Sequence, residues 1–186
     1  MDKPSRKPNR LSYYDYSNPG AYFITICTKD HKCLFWTDAA TGVAFPQRVQ
    51  LSKYGLIAEE AIGNISVHYP AISVDHYVIM PNHIHLLLQI NTDKHGQPVP
   101  TPAISIVIQQ LKGFITKRIG HSVWQKLFHD HVIRGEKDYF KIWEYIENNP
   151  VKWKEDCFYD GKLCDCFPVS SGRAMLAPTF RLGVIL

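Results

Sequence analysis

The apolar positions of this chain recur with two periods, one typical of strands and one typical of helices. Residues 21–28 are rich in β-branched and aromatic side chains, as strands are. From Tyr54 to Ile65 the apolar positions lie three or four residues apart, which predicts a helix that Ser52 can cap. The same reasoning predicts, in order, a strand at 21–28, a helix at 53–68, strands at 73–80 and 83–90, a helix at 104–116, a strand at 128–134 and a helix at 136–149.

The order of these elements predicts the fold class. The two middle strands are separated only by Pro81-Asn82, so we expect them to form an antiparallel hairpin. The first six elements then follow the βαββαβ order of a ferredoxin-like (RRM-like) α+β domain with an antiparallel sheet. The last helix, which Pro150 ends, is an addition to that fold. The predicted organisation is a basic and aromatic N-terminal arm (1–20), one folded domain (21–153) and a C-terminal tail (154–186) without a clear period.

Composition narrows the class of protein. With 186 residues and 45% hydrophobic content, the chain is expected to fold as one domain. Its 21 Lys and Arg against 17 Asp and Glu give a formal charge of +4, which permits a nucleic-acid partner but lacks the excess of a histone-like binder. Five cysteines and an N-terminus without an apolar stretch favour a cytoplasmic protein with reduced thiols. No apolar run approaches the roughly 20 residues of a membrane span, so no membrane role is expected.

Two histidines on one predicted strand form a candidate metal site. Residues i and i+2 of a strand share a face, so His83 and His85 present two imidazoles side by side. Imidazole suits Zn, Mn, Fe and Ni, and two such ligands leave coordination positions for other groups. The alternatives are a pair formed by His129 and His131, a pair formed by Cys164 and Cys166, and one structural or redox centre that holds all four histidines.

A tyrosine on the last predicted helix is a candidate nucleophile. Tyr145 lies off the apolar stripe of that helix, on a polar side that includes Lys141 and Asn149. A phenol has a pKa of about 10, so it needs a nearby cation, metal or base before it can attack phosphorus. Lys141 and a metal could supply that charge, and Asn149, one turn after Tyr145, could add an amide oxygen to a metal held by the two histidines. Tyr139 is a competing nucleophile, but it lies in the apolar stripe, which favours a packing role. The other competing tyrosines lie in the N-terminal arm with Arg6, Lys7 and Arg10, where base stacking is the more natural role, namely Tyr13, Tyr14 and Tyr16.

Two segments of the chain resemble the signatures of one family. Residues 81–87 (PNHIHLL) contain the histidine pair, and residues 144–151 (EYIENNPV) contain the candidate nucleophile. Together they resemble the single-tyrosine HUH transposases, in particular the branch called REP-associated tyrosine transposases. Further matches, in the family's order, are residues 20–25 (GAYFIT), 123–125 (VWQ) and 131–134 (HVIR).

The resemblance implies a site and a reaction. It makes residues 21–153 an HUH transposase domain in which His83 and His85 are metal ligands and Tyr145 is the nucleophile. Asn149 would be the third ligand, where transposases of insertion sequences more often have Gln. The implied cofactor is a divalent metal, Mg or Mn, and the implied substrate is single-stranded DNA that folds into a hairpin. The tyrosine would form a 5′-phosphotyrosine bond and release a 3′-hydroxyl, which can later attack that bond and rejoin the strand. The candidates to bind DNA phosphates are Arg10, Lys112, Arg134 and Lys141.

Two other functions compete with this interpretation. A ferredoxin-like domain could bind single-stranded nucleic acid without cutting it, although the sequence lacks the two short aromatic motifs of RRM sheets. A small metal-storage or redox protein could use the His and Cys pairs. The resemblance places the protein in the bacterial cytoplasm, on the nucleoid when it binds DNA, and leaves monomer and homodimer as alternatives.

Overall fold

The computed structural model describes residues 13–37 and 49–159, which form four strands and four helices. In chain order these are β1 (Gly20–Cys27), α1 (Lys53–Gly63), α2 (Ile65–His68), β2 (Ile72–Ile79), β3 (His83–Ile90), α3 (Ile104–Ile119), β4 (His129–Ile133) and α4 (Glu136–Asn148). Short 3-10 turns occupy Lys29–His31 and Trp153–Glu155.

The strands form one antiparallel sheet in the order β2-β3-β1-β4. Together with the βαββαβ connectivity, this order confirms the predicted ferredoxin-like α+β fold. β1 and β3 are the central strands, and their pairing runs from Gly20 opposite Ile90 to Cys27 opposite His83. The first residues of β3 therefore lie beside the last residues of β1, in the middle of the sheet.

One face of the sheet packs against α1 and α3 to form the hydrophobic core. Alternate residues of the central strands point into this core and are fully buried, namely Tyr22, Ile24, Ile26, Ile84, Leu86 and Leu88. The stripe predicted for α3 meets them and is buried as expected, at Ile104, Ile108, Leu111 and Ile115. Because side chains alternate along a strand, the residues between them, including His83 and His85, point to the other face.

The last helix, α4, lies over that other face and contacts β2 and β3. Its Trp143 stacks on His76 of β2, and its Tyr145 contacts His85 of β3. The sheet thus separates two layers: α1 and α3 cover the core, and α4 lies on the face that carries the histidines.

Local sequence signals explain where the first helices begin and end. The Ser52 hydroxyl accepts hydrogen bonds from the backbone N–H groups of Tyr54 and Gly55, both at 3.2 Å, so the predicted cap is present. The single helix predicted for 53–68 is in fact two, α1 and α2, divided at Asn64 directly after Gly63. Glycine has a low helix propensity, which accounts for the position of the break.

The hairpin between β2 and β3 is built as predicted, with one irregularity that the sequence did not reveal. Across the Pro81-Asn82 turn, the Met80 N–H donates to the His83 carbonyl at 2.9 Å. Further along β2, the pairing shifts between Val74, opposite Leu88, and His76, opposite Leu87. Asp75 is the extra residue of this β-bulge.

Several predicted features fall outside or at the border of the described residues. Arg6, Lys7, Arg10, the Cys164 and Cys166 pair and most of the predicted tail lie outside 13–37 and 49–159. Within the described part of the predicted arm, Tyr14 and Tyr16 pack against each other and against Tyr22. Of the three arm tyrosines proposed to stack on bases, only Tyr13 is fully exposed.

None of the helices in the described ranges combines the length and the hydropathy that crossing a bilayer requires.

Candidate active site

His83 and His85 meet on the α4 side of the sheet, where β3 begins beside the end of β1. Both side chains are buried, and their Nε2 atoms lie 3.0 Å apart. Ile84 between them is in the core, so the predicted alternation of the three residues is present. Two ring nitrogens at this distance share either one proton or one cation.

Hydrogen bonds from the far side of each ring orient the pair. The Asn82 amide donates through Nδ2 to the carbonyls of His31 and Phe158, at 3.2 and 2.8 Å, so its Oδ1 is left to accept from His83 Nδ1 at 2.9 Å. His83 therefore carries its proton on Nδ1 and a lone pair on Nε2, as a metal ligand requires. The Thr25 hydroxyl lies 2.8 Å from His85 Nδ1, and this hydrogen bond orients the second ring.

Burial keeps both imidazoles neutral. Burial and, to a lesser extent, the neighbouring His31 lower the pKa of His83 to about 3. Burial and His83 lower the pKa of His85 well below its usual value, and the Asp156 carboxylate opposes this shift. Neutral imidazoles are ready ligands at neutral pH, since neither ring has to lose an imidazolium proton before it binds a metal.

Tyr145 is brought to the histidines within a single chain. Its hydroxyl lies 3.3 Å from His85 Nε2, and its ring packs edge-on against Phe23, which in turn stacks on His85. The residue is 43% exposed and lines an open cavity of about 420 Å³. The other residues around this cavity are Lys141, Glu144, Asn148, Asn149, Lys152, Glu155 and Asp156. The candidate nucleophile is therefore in contact with the histidine pair and accessible from solvent.

The surroundings of Tyr145 oppose ionisation of the free phenol. Burial raises the pKa of Tyr145 to about 12, the negative charge of Asp156 adds to the shift, and a hydrogen bond from Asn149 acts against it. A bound cation or an acceptor for the proton is needed before this oxygen can act as a nucleophile near neutral pH.

Asn149, the predicted third ligand, is buried at the end of α4, beside Tyr145. Its Nδ2 donates to Asp156 Oδ2 at 3.2 Å, and no hydrogen-bond partner for its Oδ1 is found among residues 13–37 and 49–159. A buried amide oxygen without a partner is costly unless something else binds it. This oxygen is therefore suited to coordinate a cation.

Asp156 belongs to the site, although the sequence analysis assigned it to the tail. Its Oδ2 accepts from the Tyr145 hydroxyl at 3.3 Å, and its Oδ1 accepts from the Phe158 N–H at 2.7 Å. One nitrogen from each of His83 and His85 and one Asp156 oxygen lie within 4.8 Å of one another. Two neutral imidazoles, a carboxylate and a free amide oxygen are a donor set that fits a divalent metal.

Aromatic residues that follow α4 pack against His83. The ring of Phe158 lies 4.6 Å from that of His83, and the buried Trp153 lies 6.0 Å from it. These positions show no periodicity that could have linked them to the histidines. The one sequence signal for Asp156 as a site residue is that it lies eleven positions after Tyr145.

The predicted phosphate-binding residues are not gathered in one place. Lys141 lines the cavity beside Tyr145. Lys112 donates instead to the carbonyls of Gln125 and Lys126, at 2.6 and 3.3 Å. Arg134 is exposed directly after β4, and Arg10 lies outside the described residues.

The competing candidates have other roles in the described structure. His129 and His131 are exposed on β4, and His131 pairs with Asp138 at 2.7 Å. Among residues 13–37 and 49–159, the group of His83, His85 and Asp156 is the one set of three or more His, Cys, Asp or Glu side chains close enough to hold a metal, so the centre with four histidines does not form. The rival nucleophile Tyr139 donates to Asp75 at 2.9 Å, away from the pair.

Comparisons with known proteins support this fold and identify the family of the chain. No family model matches the chain. An uncharacterized protein of Haemophilus influenzae is 34% identical over 173 residues, which cover 83% of this chain and 93% of that protein. A second protein of the same organism, named "Putative REP-associated tyrosine transposase", is 30% identical over 175 residues, 85% of this chain and 90% of its own length. A solved REP-associated tyrosine transposase bound to a REP hairpin covers 92% of this chain and all of its own, with a TM-score of 0.55 and 19% identity, and so shares the fold.

Proposed function

The chain belongs to the REP-associated tyrosine transposases, and from this premise we propose that it cuts and rejoins single-stranded DNA through a covalent bond to Tyr145. The observation that carries the proposal is the position of the Tyr145 hydroxyl, 3.3 Å from His85 Nε2, which itself lies 3.0 Å from His83 Nε2. A tyrosine needs a nearby base or metal to attack phosphorus, and two neutral imidazoles beside it are suited to hold such a metal.

The proposed substrate is a hairpin-forming single strand. The solved relative with the same fold is bound to a REP hairpin, which supports this class of DNA. The open cavity beside Tyr145 offers Lys141 and Lys152 to phosphate oxygens. We propose that the scissile phosphate enters this cavity and that the hairpin stem lies outside it.

A divalent metal, Mg or Mn, would be held by His83 and His85 together with the Oδ1 of Asn149. Asp156 places a negative charge beside these three ligands, which favours a cation. When bound, the metal would neutralise the charge that develops on the phosphoryl oxygens. The neutral state of the imidazoles and the unpartnered amide oxygen support this ligand set.

The reaction follows from the hydrogen bonds of Tyr145. Its oxygen attacks phosphorus, the bond from phosphorus to the 3′ oxygen breaks, and the products are a 5′-phosphotyrosine and a free 3′-hydroxyl. The phenol already donates to Asp156 Oδ2, so this carboxylate is placed to accept the proton as the new bond forms. The departing 3′ oxygen takes up a proton from the resulting carboxylic acid or from solvent water, which gives the 3′-hydroxyl. Attack by a 3′-hydroxyl on the phosphotyrosine reverses these steps and rejoins the strand. Because every group lies in one chain, we propose that the site acts without a second subunit.

The polarity of the covalent link provides a direct test. Hairpin oligonucleotides with single-stranded flanks, labelled at either end, are incubated with the protein and Mn²⁺ and resolved on a denaturing gel. The 3′ label should migrate with the protein, and the 5′ label should be released on a shorter strand. Tyr145→Phe should abolish the adduct, whereas Tyr54→Phe, on the other side of the sheet, should not.

Two results would contradict the proposal. Adduct formation by Tyr145→Phe at the rate of the unaltered protein would exclude this tyrosine as the nucleophile. Tight binding of the hairpins without any cleavage would favour the alternative, a module that binds single-stranded nucleic acid without cutting it.

A further inference from the structure

The helix that carries Tyr145 has little hydrophobic anchorage of its own. Of the 13 residues of α4, only Ile146 is fully buried, and its apolar neighbours Ile142 and Trp143 are half-buried. Helices in proteins are held mostly by their apolar face, so one buried side chain is weak fixation for a catalytic residue. A nucleophile misplaced by about 1 Å can lose about a hundredfold in rate, so other contacts have to hold this helix in place.

The β-bulge in β2 supplies such contacts. In a regular strand, the neighbours Asp75 and His76 would point to opposite faces of the sheet. Because Asp75 is inserted between Val74 and His76, His76 pairs with Leu87 on the face that α4 covers. Both side chains of the bulge therefore reach the same helix, as expected where a bulge redirects a side chain.

The first contact precedes Tyr145 in α4. The Tyr139 hydroxyl donates to Asp75 Oδ2 at 2.9 Å. The other oxygen of this carboxylate accepts from the Ser73 hydroxyl at 2.8 Å, which orients it. The rival nucleophile of the sequence analysis is thus a link between the helix and the edge strand.

His76 makes the second contact, with one α4 residue before Tyr145 in the sequence and one after it. The ring of His76 stacks on that of Trp143, with centroids 4.4 Å apart and an interplanar angle of 16°. Its Nε2 lies 2.9 Å from Glu147 Oε2. Trp143 and Glu147 are one turn apart, and Tyr145 lies midway between them.

We propose that Asp75 and His76 are positioning residues for Tyr145, and that the bulge in β2 fixes the helix so that the phenol stays beside His85. This inference rests on the proposed function, because it assigns the bulge a purpose in the reaction of Tyr145. Neither residue lines the cavity beside Tyr145, and each contacts α4, so we place their action in that helix.

Variants of the first contact test the proposal. Asp75→Ala and Tyr139→Phe each remove the hydrogen bond, and Asp75→Asn keeps an oxygen that can accept it. Tyr77→Phe is the matched control, because Tyr77 is on the same strand but packs against the core on the other face. The full-length protein is compared in two measurements: the single-turnover rate of adduct formation with the dissociation constant for the hairpin, and amide hydrogen exchange of residues 139–148.

Asp75→Ala and Tyr139→Phe should lower the adduct rate by about ten- to a hundredfold at an unchanged dissociation constant. Exchange in α4 should become faster while that of β3 stays the same. Asp75→Asn should restore most of the rate, and Tyr77→Phe should resemble the unaltered protein. An unchanged adduct rate in Asp75→Ala, or a loss that Asp75→Asn does not restore, would overturn the proposal.

The two proposals fail in different ways. If Tyr145→Phe still forms the adduct, the proposed function is wrong and the bulge has no nucleophile to position. If the adduct depends on Tyr145 but Asp75→Ala reacts normally, the proposed function stands and the positioning role is wrong.

Discussion

Asn82 determines which nitrogen of His83 faces the site. Its two amide hydrogens are committed to the carbonyls of His31 and Phe158, so its oxygen can only accept, and the proton of His83 is held on Nδ1. Such outer partners of a metal ligand set both its orientation and its tautomer. A residue that would not touch the metal thereby prepares the ligand.

Removing this partner should weaken metal binding. In Asn82→Ala the imidazole of His83 loses its acceptor, and we expect the affinity for Mn²⁺ to fall about ten- to a hundredfold. Isothermal titration of the metal-free protein with Mn²⁺ measures this. Asn91→Ala, an exposed asparagine directly after β3, is the control and should bind normally. Equal affinities of the two variants would contradict the assigned role.

Asp156 should affect the acidity of Tyr145 and its reactivity in opposite senses. Its negative charge contributes to the raised pKa of Tyr145, so Asp156→Asn should lower that pKa from about 12. The same variant loses the proton acceptor, so adduct formation should slow despite the more acidic phenol. NMR of protein with ¹³C-labelled tyrosine, with Tyr145→Phe to assign the signal, follows the titration. A slower reaction without any change in pKa would show that Asp156 does not act on the phenol.

The buried histidine pair should make the metal-free protein sensitive to acid. The pKa of His83 is lowered to about 3 by burial, whereas a histidine in the unfolded chain has a pKa of about 6.5. Below this value the unfolded chain binds protons that the folded protein does not, so the free energy of unfolding should fall as the pH decreases from about 6.5 towards 3. Each such histidine contributes up to about 1.4 kcal/mol per pH unit.

Urea unfolding between pH 7 and pH 4 measures this dependence. His83→Asn should flatten it, and His129→Asn, which alters an exposed histidine, should leave it unchanged. An equal slope for His83→Asn and the unaltered protein would contradict a buried neutral His83.

At the scale of elements, α4 depends on one buried side chain and on the bulge of β2. Ile146→Ala removes that side chain and should lower the free energy of unfolding by about 2–5 kcal/mol, measured by urea denaturation. Val151→Ala, just beyond the helix and 63% exposed, should change it by less than about 0.5 kcal/mol. Equal effects of the two variants would mean that α4 is not held through Ile146.

The elements themselves could be predicted because their signals are local. The alternation of His83, Ile84 and His85, the stripe of α3 and the Ser52 cap are all read from residues that are close in sequence, and each is present. The bulge at Asp75 could not be predicted, because a shift of register depends on the pairing with a second strand. Only the position of Gly63 hinted that the first helix would divide.

In the candidate site, too, the features that follow from a local period could be predicted and the others could not. The pairing of His83 with His85 follows from the period of a strand, and the polar placement of Tyr145 follows from the period of a helix. The contribution of Asp156 could not be predicted, because it follows a short turn with no repeating pattern. Lys112 donates to the carbonyls of a nearby loop, and its expected contact with DNA phosphate stays a prediction.

At the scale of the whole molecule, the hydrophobic core and the candidate site lie on opposite faces of the sheet. The core between the sheet and α1 and α3 holds the central strands in register. The other face of the same strands carries the histidines, and α4 brings the tyrosine to them. The proposed metal ligands thus stand on a central strand of the sheet, whereas the proposed nucleophile stands on a helix with one fully buried side chain.

The identity of the residue that bonds to DNA tests the central claim most directly. Trypsin cleaves after Lys141 and Lys152, so residues 142–152 form a peptide in which Tyr145 is the only tyrosine, and Tyr139 falls in the preceding peptide, 138–141. The covalent adduct with a cleaved hairpin is digested with trypsin and nuclease and analysed by mass spectrometry. We predict a nucleotide mass on the peptide 142–152; a modification of 138–141, or cleavage without any modified tyrosine, would contradict the account.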